Sequence, residues 1–447
     1  MPEIEAQEVD REFKQGGFLR KLIVSARTLG PGLITGASDD DPATIGTFAQ
    51  TGVHFGYTQL WMVFFTLPLM VAVQEICARI GLETGEGLAR LIRRHYPRPI
   101  LYGSVLLLFI ANTVNIGADL GAMAASADLL LHLPFVVWLI AFALVSAGLE
   151  IFLDYHQYSR VLRLFAFAIL AYVVVAFVVP QDWGAAIRGT LVPTLRLNRD
   201  FLMNLVALLG TAISPYLYFW QTSEEVEEKI ESGETEKVID EGHEIEEGRT
   251  GVTRTELKWM RTDVSFGMVL ANFVGWTIII TAASTLGRHG VQNISSATQF
   301  AQSLQPAAGS LAYLVFALGI IGTGLLTIPI LAGSLAYAVS GTLNLREGLY
   351  LKLDQAPGFY GVIAISTLVG AGIDFFHINP IQALYYTSII NGIVAAPLLV
   401  LLMLISNNKE IMHNRTNNRL SNILGWTTTL AMILSAAAML VTLFAGG

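Results

Sequence analysis

The chain has 447 residues, of which 53% are hydrophobic and only 14% are charged, and its mean hydropathy is +0.56. A soluble domain has about a quarter of its residues charged, so this composition excludes an ordinary soluble protein. The net charge of -8 does not indicate a nucleic-acid partner, and much of the acid lies in one segment. The one cysteine, Cys77, lies in an apolar segment, which excludes a disulfide framework and a thiolate metal cluster.

Apolar segments of about 20 residues, the length that crosses a bilayer, recur along the chain and predict eleven membrane spans. In chain order these cover residues 29–52, 57–80, 100–130, 134–153, 161–180, 200–221, 264–286, 309–340, 358–375, 381–405 and 423–445. Cytoplasmic loops carry an excess of Lys and Arg, and a cytoplasmic N-terminus places 23 of the 27 basic residues on the cytoplasmic side. We therefore expect a multi-pass protein of the cell (inner) membrane, with a cytoplasmic arm at 1–28 and an external C-terminus.

Three consecutive aspartates, Asp39, Asp40 and Asp41, followed by Pro42, interrupt the first predicted span. An Asp at the bilayer centre costs about 2.5–3.5 kcal/mol on insertion scales. Proline has no amide hydrogen and disfavours a helical residue before it. Unwound backbone at that depth is tolerated only where it is packed in protein or faces a water-filled cavity. Carboxylates at such a break indicate a cation site, and hence transport of a cation.

A second interruption, at Gly210, Ser214 and Pro215, lies in the span 200–221. Five spans begin with the first break and five more begin with the second, so the two halves have opposite topology. This pattern is typical of an inverted repeat whose two first helices are discontinuous at the substrate site. We predict an all-α membrane protein with repeats at 29–180 and 200–405 and an eleventh helix at 423–445. The acidic segment 222–263 is predicted to be a cytoplasmic loop within the second repeat.

The side chains at the two breaks indicate a ligand set for a hard divalent cation, which prefers oxygen donors. Asp41 offers a carboxylate and Thr44 a hydroxyl, while the second break offers the carbonyl near Thr211 and the hydroxyl of Ser214. No cysteine lies at either break. The nearest methionine along the chain, Met203, is two turns or more away from the second break, so the sequence gives no support for a soft-metal preference.

The run Asp41-Pro42-Ala43-Thr44, paired with Ser214-Pro215-Tyr216 in the second half, resembles the natural-resistance-associated macrophage protein (NRAMP) family of divalent metal transporters. The resemblance covers essentially all of 25–445 and implies a LeuT-type fold. The family has Asp-Pro-Gly-Asn at the first break and Met-Pro-His at the second. This chain therefore keeps the Asp, and it replaces the family's thioether ligand by Ser214.

These departures make the sequence similar to the NRAMP-related magnesium transporter branch, because loss of a thioether disfavours soft cations. The resemblance also implies weaker proton coupling. Asp119 is kept, but Ala122 replaces a family Glu, and Tyr216 and Gln221 stand at the positions of two family histidines.

The complete predicted metal site joins residues from both breaks and from two other spans. It consists of Asp41, Asp40, Thr44, Thr211, Ser214, Tyr216, Asp119, Asn115 and Asn391. Asn115 and Asp119 share one face of the third span with Asn112, and Asn391 stands where the family places an amide near the metal.

We expect a secondary transporter of divalent cations, with Mg²⁺ favoured and Mn²⁺ as the other ion, moving without obligatory proton movement. No cofactor is expected, and no partner beyond the ion and the lipid bilayer. The alternative within the family is a proton-coupled Mn²⁺ or Fe²⁺ transporter. An amino-acid transporter of LeuT type is disfavoured, because such sites avoid clustered acids at the break. An intramembrane aspartyl protease is a further alternative, for which Gly370-Ala371-Gly372-Ile373-Asp374 is the nearest motif, with one residue too many.

Overall fold

The computed structural model describes most of the two predicted repeats and the last span; the arm 1–28 lies outside the described residues. Those residues are 31–153, 170–231, 252–287, 294, 296–302, 309, 312–376 and 378–445. Seventeen α-helices form within them, numbered here in chain order. They are α1 (Pro31–Asp39), α2 (Pro42–Phe55), α3 (Leu60–Thr84), α4 (Leu88–His95), α5 (Arg98–Asp128), α6 (Phe135–Phe152), α7 (Leu170–Val178), α8 (Trp183–Leu191), α9 (Arg199–Ala212), α10 (Tyr216–Glu231), α11 (Arg254–Ser284), α12 (Ala297–Gln302), α13 (Ala312–Leu343), α14 (Pro357–Ile373), α15 (Pro380–Asn407), α16 (Lys409–Met412) and α17 (Arg419–Ala445).

Nine helical segments among the described residues are long and apolar enough to cross a membrane. Two predicted spans are not among these nine. The first is divided between α1 and α2, and the fifth, predicted at 161–180, begins among residues that the structure does not describe. The least buried spans expose large apolar side chains, such as Leu144 on α6, Leu368 on α14 and Leu434 on α17. Such faces suit contact with lipid rather than water.

Both predicted helix breaks are present in the structure. The first span ends as α1 at Asp39 and begins again as α2 at Pro42, and the sixth ends as α9 at Ala212 and begins again as α10 at Tyr216. Proline is the first residue of α2. At that position an amide hydrogen would have no acceptor within the helix, so proline removes no helical hydrogen bond. The discontinuity that the sequence predicts in each half is thus confirmed.

The two halves interlock through their broken helices. The α1 and α2 pair packs along α11 of the second half, and α10 packs along α3 of the first half. Glycines permit both contacts, because a Cβ atom at Gly36 would meet the backbone of Gly267, and one at Gly81 would meet the carbonyl of Thr222. At the centre α5 packs against α13, while α17 lies outside the repeats against α15, α9 and α3.

The structure describes both ends of the predicted cytoplasmic loop 222–263, and the assignment of the segment as a loop stays a prediction. Helix α10 continues to Glu231 and α11 begins at Arg254, so both ends of that segment are helical. Glu227 is buried there, and its carboxylate accepts hydrogen bonds from the Tyr337 hydroxyl at 2.6 Å and from the Leu349 amide at 2.9 Å. The sequence did not predict this buried carboxylate, because a run of charged residues is typical of a solvent-exposed segment. The partners of Glu227 lie far away along the chain, so the sequence does not indicate them. Residues 232–251 of the loop lie outside the described residues.

Candidate metal site

Asp41 lies between the two halves of the first span and is the N-cap of α2. Its Oδ1 atom accepts a hydrogen bond from the backbone amide of Thr44 at 2.6 Å, and Thr44 itself is buried. An N-cap carboxylate satisfies an amide that has no partner within the helix and lies at the positive end of the helix dipole. The fold of α2 therefore holds this carboxylate at the break.

Helix α5 supplies two further polar groups to the same point. The Asn115 side-chain amide donates to Oδ2 of Asp41 at 2.9 Å, and Asp119, one turn further along, lies beside Asp41 and the backbone of Ala43. Both are fully buried, and neither oxygen of Asp119 has a hydrogen bond of normal geometry among the described residues. The third member of the predicted polar face, Asn112, instead donates to α13, at the carbonyl of Leu331 and the hydroxyl of Ser334.

The hydroxyl groups at the second break bond to the ends of the broken helices. The Ser214 hydroxyl donates to the carbonyl of Thr211 at 2.9 Å and to that of Gly210 at 3.2 Å, so it satisfies the open end of α9. The Tyr216 hydroxyl donates to the carbonyl of Ser38 at 2.8 Å, which joins the second break to the end of α1. Tyr216 also lies within electrostatic range of all four buried aspartates. Ser214 lies beside Asp39.

Asp39 and Asp40 are the other two aspartates of the first break. They line a pocket between the first break, α3 and α11, together with Thr66, Met70 and Asn272. The prediction that Asp40 joins Asp41 in one ligand set stays a prediction, and the pocket adds that Asp40 lines it while Asp41 does not. The pocket is also lined by Met62, so two thioethers lie beside the aspartates. Met203 is the nearest methionine to the second break along the chain, whereas the fold brings Met62 and Met70 of α3 to a pocket at the first break.

The four aspartates are buried without a compensating basic group. Asp39, Asp40, Asp41 and Asp119 are each at most 3% exposed. The charged neighbours that act on Asp39, Asp40 and Asp119 among the described residues are other aspartates. Buried carboxylates are otherwise paired or neutralised, so this arrangement favours a bound cation.

A metal ion here must take part of its coordination from neutral groups or water. No three His, Cys, Asp or Glu side chains converge on one metal position within the described part of the chain. Asn391 is buried on α15, and its Oδ1 atom accepts no hydrogen bond from any described residue. Among the predicted residues, Thr44 and Asn115 bond to Asp41, and Asp40, Asp119 and Tyr216 lie within electrostatic range of it. The full ligand set stays a prediction.

A model of the family described as "Natural resistance-associated macrophage protein-like" (Nramp) matches residues 32–442. The chain belongs to the Nramp family. Curated relatives named "Divalent metal cation transporter MntH" include one from Yersinia pestis, which is 26% identical over 436 residues and covers 95% of this chain and 97% of its own. Another relative with this name, from Granulibacter bethesdensis, is 23% identical over 413 residues. The match covers 90% of this chain and 84% of that relative. These relatives are named as transporters and not as enzymes, which gives the aspartyl protease alternative no support.

Solved structures confirm the predicted fold class. The manganese transporter of Eremococcus coleocola superposes with a TM-score of 0.72 at 16% identity, covering 96% of this chain and 90% of that one. Mhp1, a nucleobase-cation-symport-1 family transporter with the LeuT-type fold, superposes with a TM-score of 0.56 at 12% identity. The match covers 92% of this chain and 91% of Mhp1. The chain is a multi-pass membrane protein of this fold, and its regular secondary structure is helical throughout the described residues. The resemblance to the magnesium branch stays a prediction.

Proposed function

We propose that this Nramp-family chain is a secondary transporter that carries a divalent metal cation across the membrane by alternating access. One observation carries the proposal: the buried Asp41 carboxylate stands at a helix break, bonded to Asn115 and beside Asp119, with no basic neighbour acting on Asp119. Substrate sites at paired helix breaks are typical of inverted-repeat transporters, in which one part rocks against the other around the site. The names of the curated relatives support a divalent metal as the cargo.

Mn²⁺ is the ion that we propose first, in the proton-coupled form of transport. The similar solved structure of Eremococcus coleocola is a manganese transporter, which supports Mn²⁺ over the Mg²⁺ that the sequence favours. Asp119 supports proton coupling, because it is a titratable side chain within the site. Unlike Asp41, it does not cap a helix, so its carboxylate is available to carry a proton. Mn²⁺ accepts carboxylate, carbonyl and water ligands, which suits the Asp41 surroundings without a thioether.

Mg²⁺ transport without obligatory proton movement is the second candidate. It is favoured by Ser214 in place of the thioether and by Ala122 and Gln221 in place of titratable groups. A divalent ion gains about 4.6 kcal/mol per 100 mV of membrane potential, twice the single-charge value, so inward movement needs no proton partner. We further propose the orientation that the basic residues indicate, with a cytoplasmic N-terminus and an external C-terminus.

Ion flux into proteoliposomes tests both candidates. Mn²⁺ and Mg²⁺ uptake is measured at a fixed membrane potential while a trapped dye reports internal pH. Faster Mn²⁺ uptake with internal acidification that Asp119→Asn abolishes supports the first candidate. Faster Mg²⁺ uptake without acidification supports the second. A protein that carries neither ion refutes the proposed function.

A further inference from the structure

The pocket on the α3 and α11 side of the first break holds donors that the Asp41 site does not use. Asp39 Oδ1 and Asp40 Oδ2 are buried and accept no hydrogen bond from any described residue. Both oxygens of Asp41, in contrast, already accept hydrogen bonds. Two carboxylates of one break are therefore open to a ligand in a pocket whose lining includes neither Asp41 nor Asn115.

Neutral donors from two helices complete this pocket. Met62, Thr66 and Met70 recur at every fourth position of α3, so they share one face of that helix. Asn272 of α11 donates from its side-chain nitrogen to the sulfur of Met70 at 3.1 Å. Because the nitrogen of the Asn272 side chain bonds to Met70, its oxygen is the atom left for a ligand. The Met70 sulfur already accepts this hydrogen bond. The sulfur of Met62 is then the thioether available to a cation, about 12 Å along the helix from Met70 by Cα position.

We propose a second metal position in this pocket, with Asp39, Asp40, Asn272 and Met62 as its ligands and a divalent transition-metal cation as its occupant. Two carboxylates balance the charge of one divalent ion, which removes the cost of burying them together. A thioether beside carboxylate and amide oxygens selects Mn²⁺, Fe²⁺ or Cd²⁺ over Mg²⁺, since soft sulfur contributes little to a hard ion. The first break thus supplies carboxylates to two metal positions, Asp41 to one and Asp39 with Asp40 to the other. This inference rests on the proposed function and adds a site to it.

Cd²⁺ binding to the purified full-length chain in detergent, measured by titration calorimetry, tests the proposal. The wild type is expected to bind two Cd²⁺ per chain, and Asp41→Asn is expected to retain one. Met62→Leu conserves volume and leaves the bond between Asn272 and Met70 in place. It is expected to weaken one of the two Cd²⁺ affinities about tenfold or more and to leave Mg²⁺ binding unchanged. Met203→Leu, on α9 and outside the pocket, is the matched control.

The outcomes separate this proposal from the proposed function. One Cd²⁺ per wild-type chain that Asp41→Asn removes overturns the second position and leaves the transport site standing. Two Cd²⁺ whose affinities Met62→Leu leaves unchanged also overturn the ligand assignment. A wild type that binds no Cd²⁺ overturns both. Asp40→Asn keeps the size of the side chain and replaces Met62→Leu as the test if that variant does not fold. Loss of the Cd²⁺ that Asp41→Asn retains supports the assignment, and its retention overturns it.

Discussion

Replacing Asp41 by alanine and by asparagine separates its structural role from its role in binding a cation. Its carboxylate accepts from the Thr44 amide at 2.6 Å and from Asn115 at 2.9 Å. Asp41→Ala removes both acceptors. Loss of an N-cap costs about 0.5–2 kcal/mol, and a buried amide left without an acceptor costs about 1–3 kcal/mol. We therefore expect Asp41→Ala to be destabilised by about 1.5–5 kcal/mol.

Asp41→Asn keeps the fold and removes the charge. Asparagine caps helices about as well as aspartate. Rotation of the Asn115 amide turns its oxygen, which lacks a partner among the described residues, towards the new side-chain amide. We expect a stability within about 0.5 kcal/mol of the wild type together with complete loss of Mn²⁺ flux, because a neutral amide cannot balance a divalent ion.

Thermal unfolding in detergent and Mn²⁺ uptake into proteoliposomes are measured on the same preparations. Asp182→Asn is the matched control, since Asp182 is an exposed N-cap of α8 that accepts from the Ala185 amide at 3.0 Å. It should change neither stability nor flux. Wild-type flux in Asp41→Asn would refute the role of the charge, and wild-type stability in Asp41→Ala would refute the capping argument.

Three further variants test selectivity, packing and a pH effect. Ser214→Met should raise Mn²⁺ uptake relative to Mg²⁺ uptake in proteoliposomes, and an unchanged ratio would show that this side chain does not reach the ion. Gly210→Ala should lower the unfolding temperature at a cost of about 1–3 kcal/mol, because its Cβ atom meets the α15 backbone, whereas Gly103→Ala, which has open space, should not. Burial raises the pKa of the Glu347 carboxyl to about 7, despite Arg90 at 2.6 Å. The stability that protonated Glu347 contributes is complete below about pH 4.5 and lost as pH rises through 7, so Glu347→Gln should flatten the fall in unfolding temperature between pH 5 and 8.

The sequence predicts the span pattern and both breaks because these features are local. Hydropathy over about 20 residues gives each span, and Pro42 and Pro215 interrupt helices wherever they stand. Asn115 and Asp119 were also predictable as neighbours of the break, since they share one face of α5. A carboxylate within a membrane span costs free energy to insert, so its presence indicates a functional site. The structure brings both to Asp41.

The contents of the second pocket were not predicted because they depend on contacts between helices. Met62 is distant from Asp40 in sequence, and only the packing of α3 against the rest of the fold brings them to one pocket. The spacing of Met62, Thr66 and Met70 was a signal, since a shared helix face with two thioethers and a hydroxyl can line a cavity. Ser214 makes a contact of the local kind that a sequence does indicate, and its role as a ligand stays a prediction. A serine at a helix end commonly bonds to nearby carbonyls, and here its hydroxyl does so.

The most direct test of the account is initial Mn²⁺ uptake into proteoliposomes that contain either the wild type or Asp41→Asn, at equal protein content and a fixed inward-negative potential. The account predicts saturable uptake by the wild type, and uptake by Asp41→Asn equal to that of protein-free vesicles. Saturable Mn²⁺ or Mg²⁺ uptake of equal rate in both proteins would contradict it, as would a folded wild type that carries neither ion.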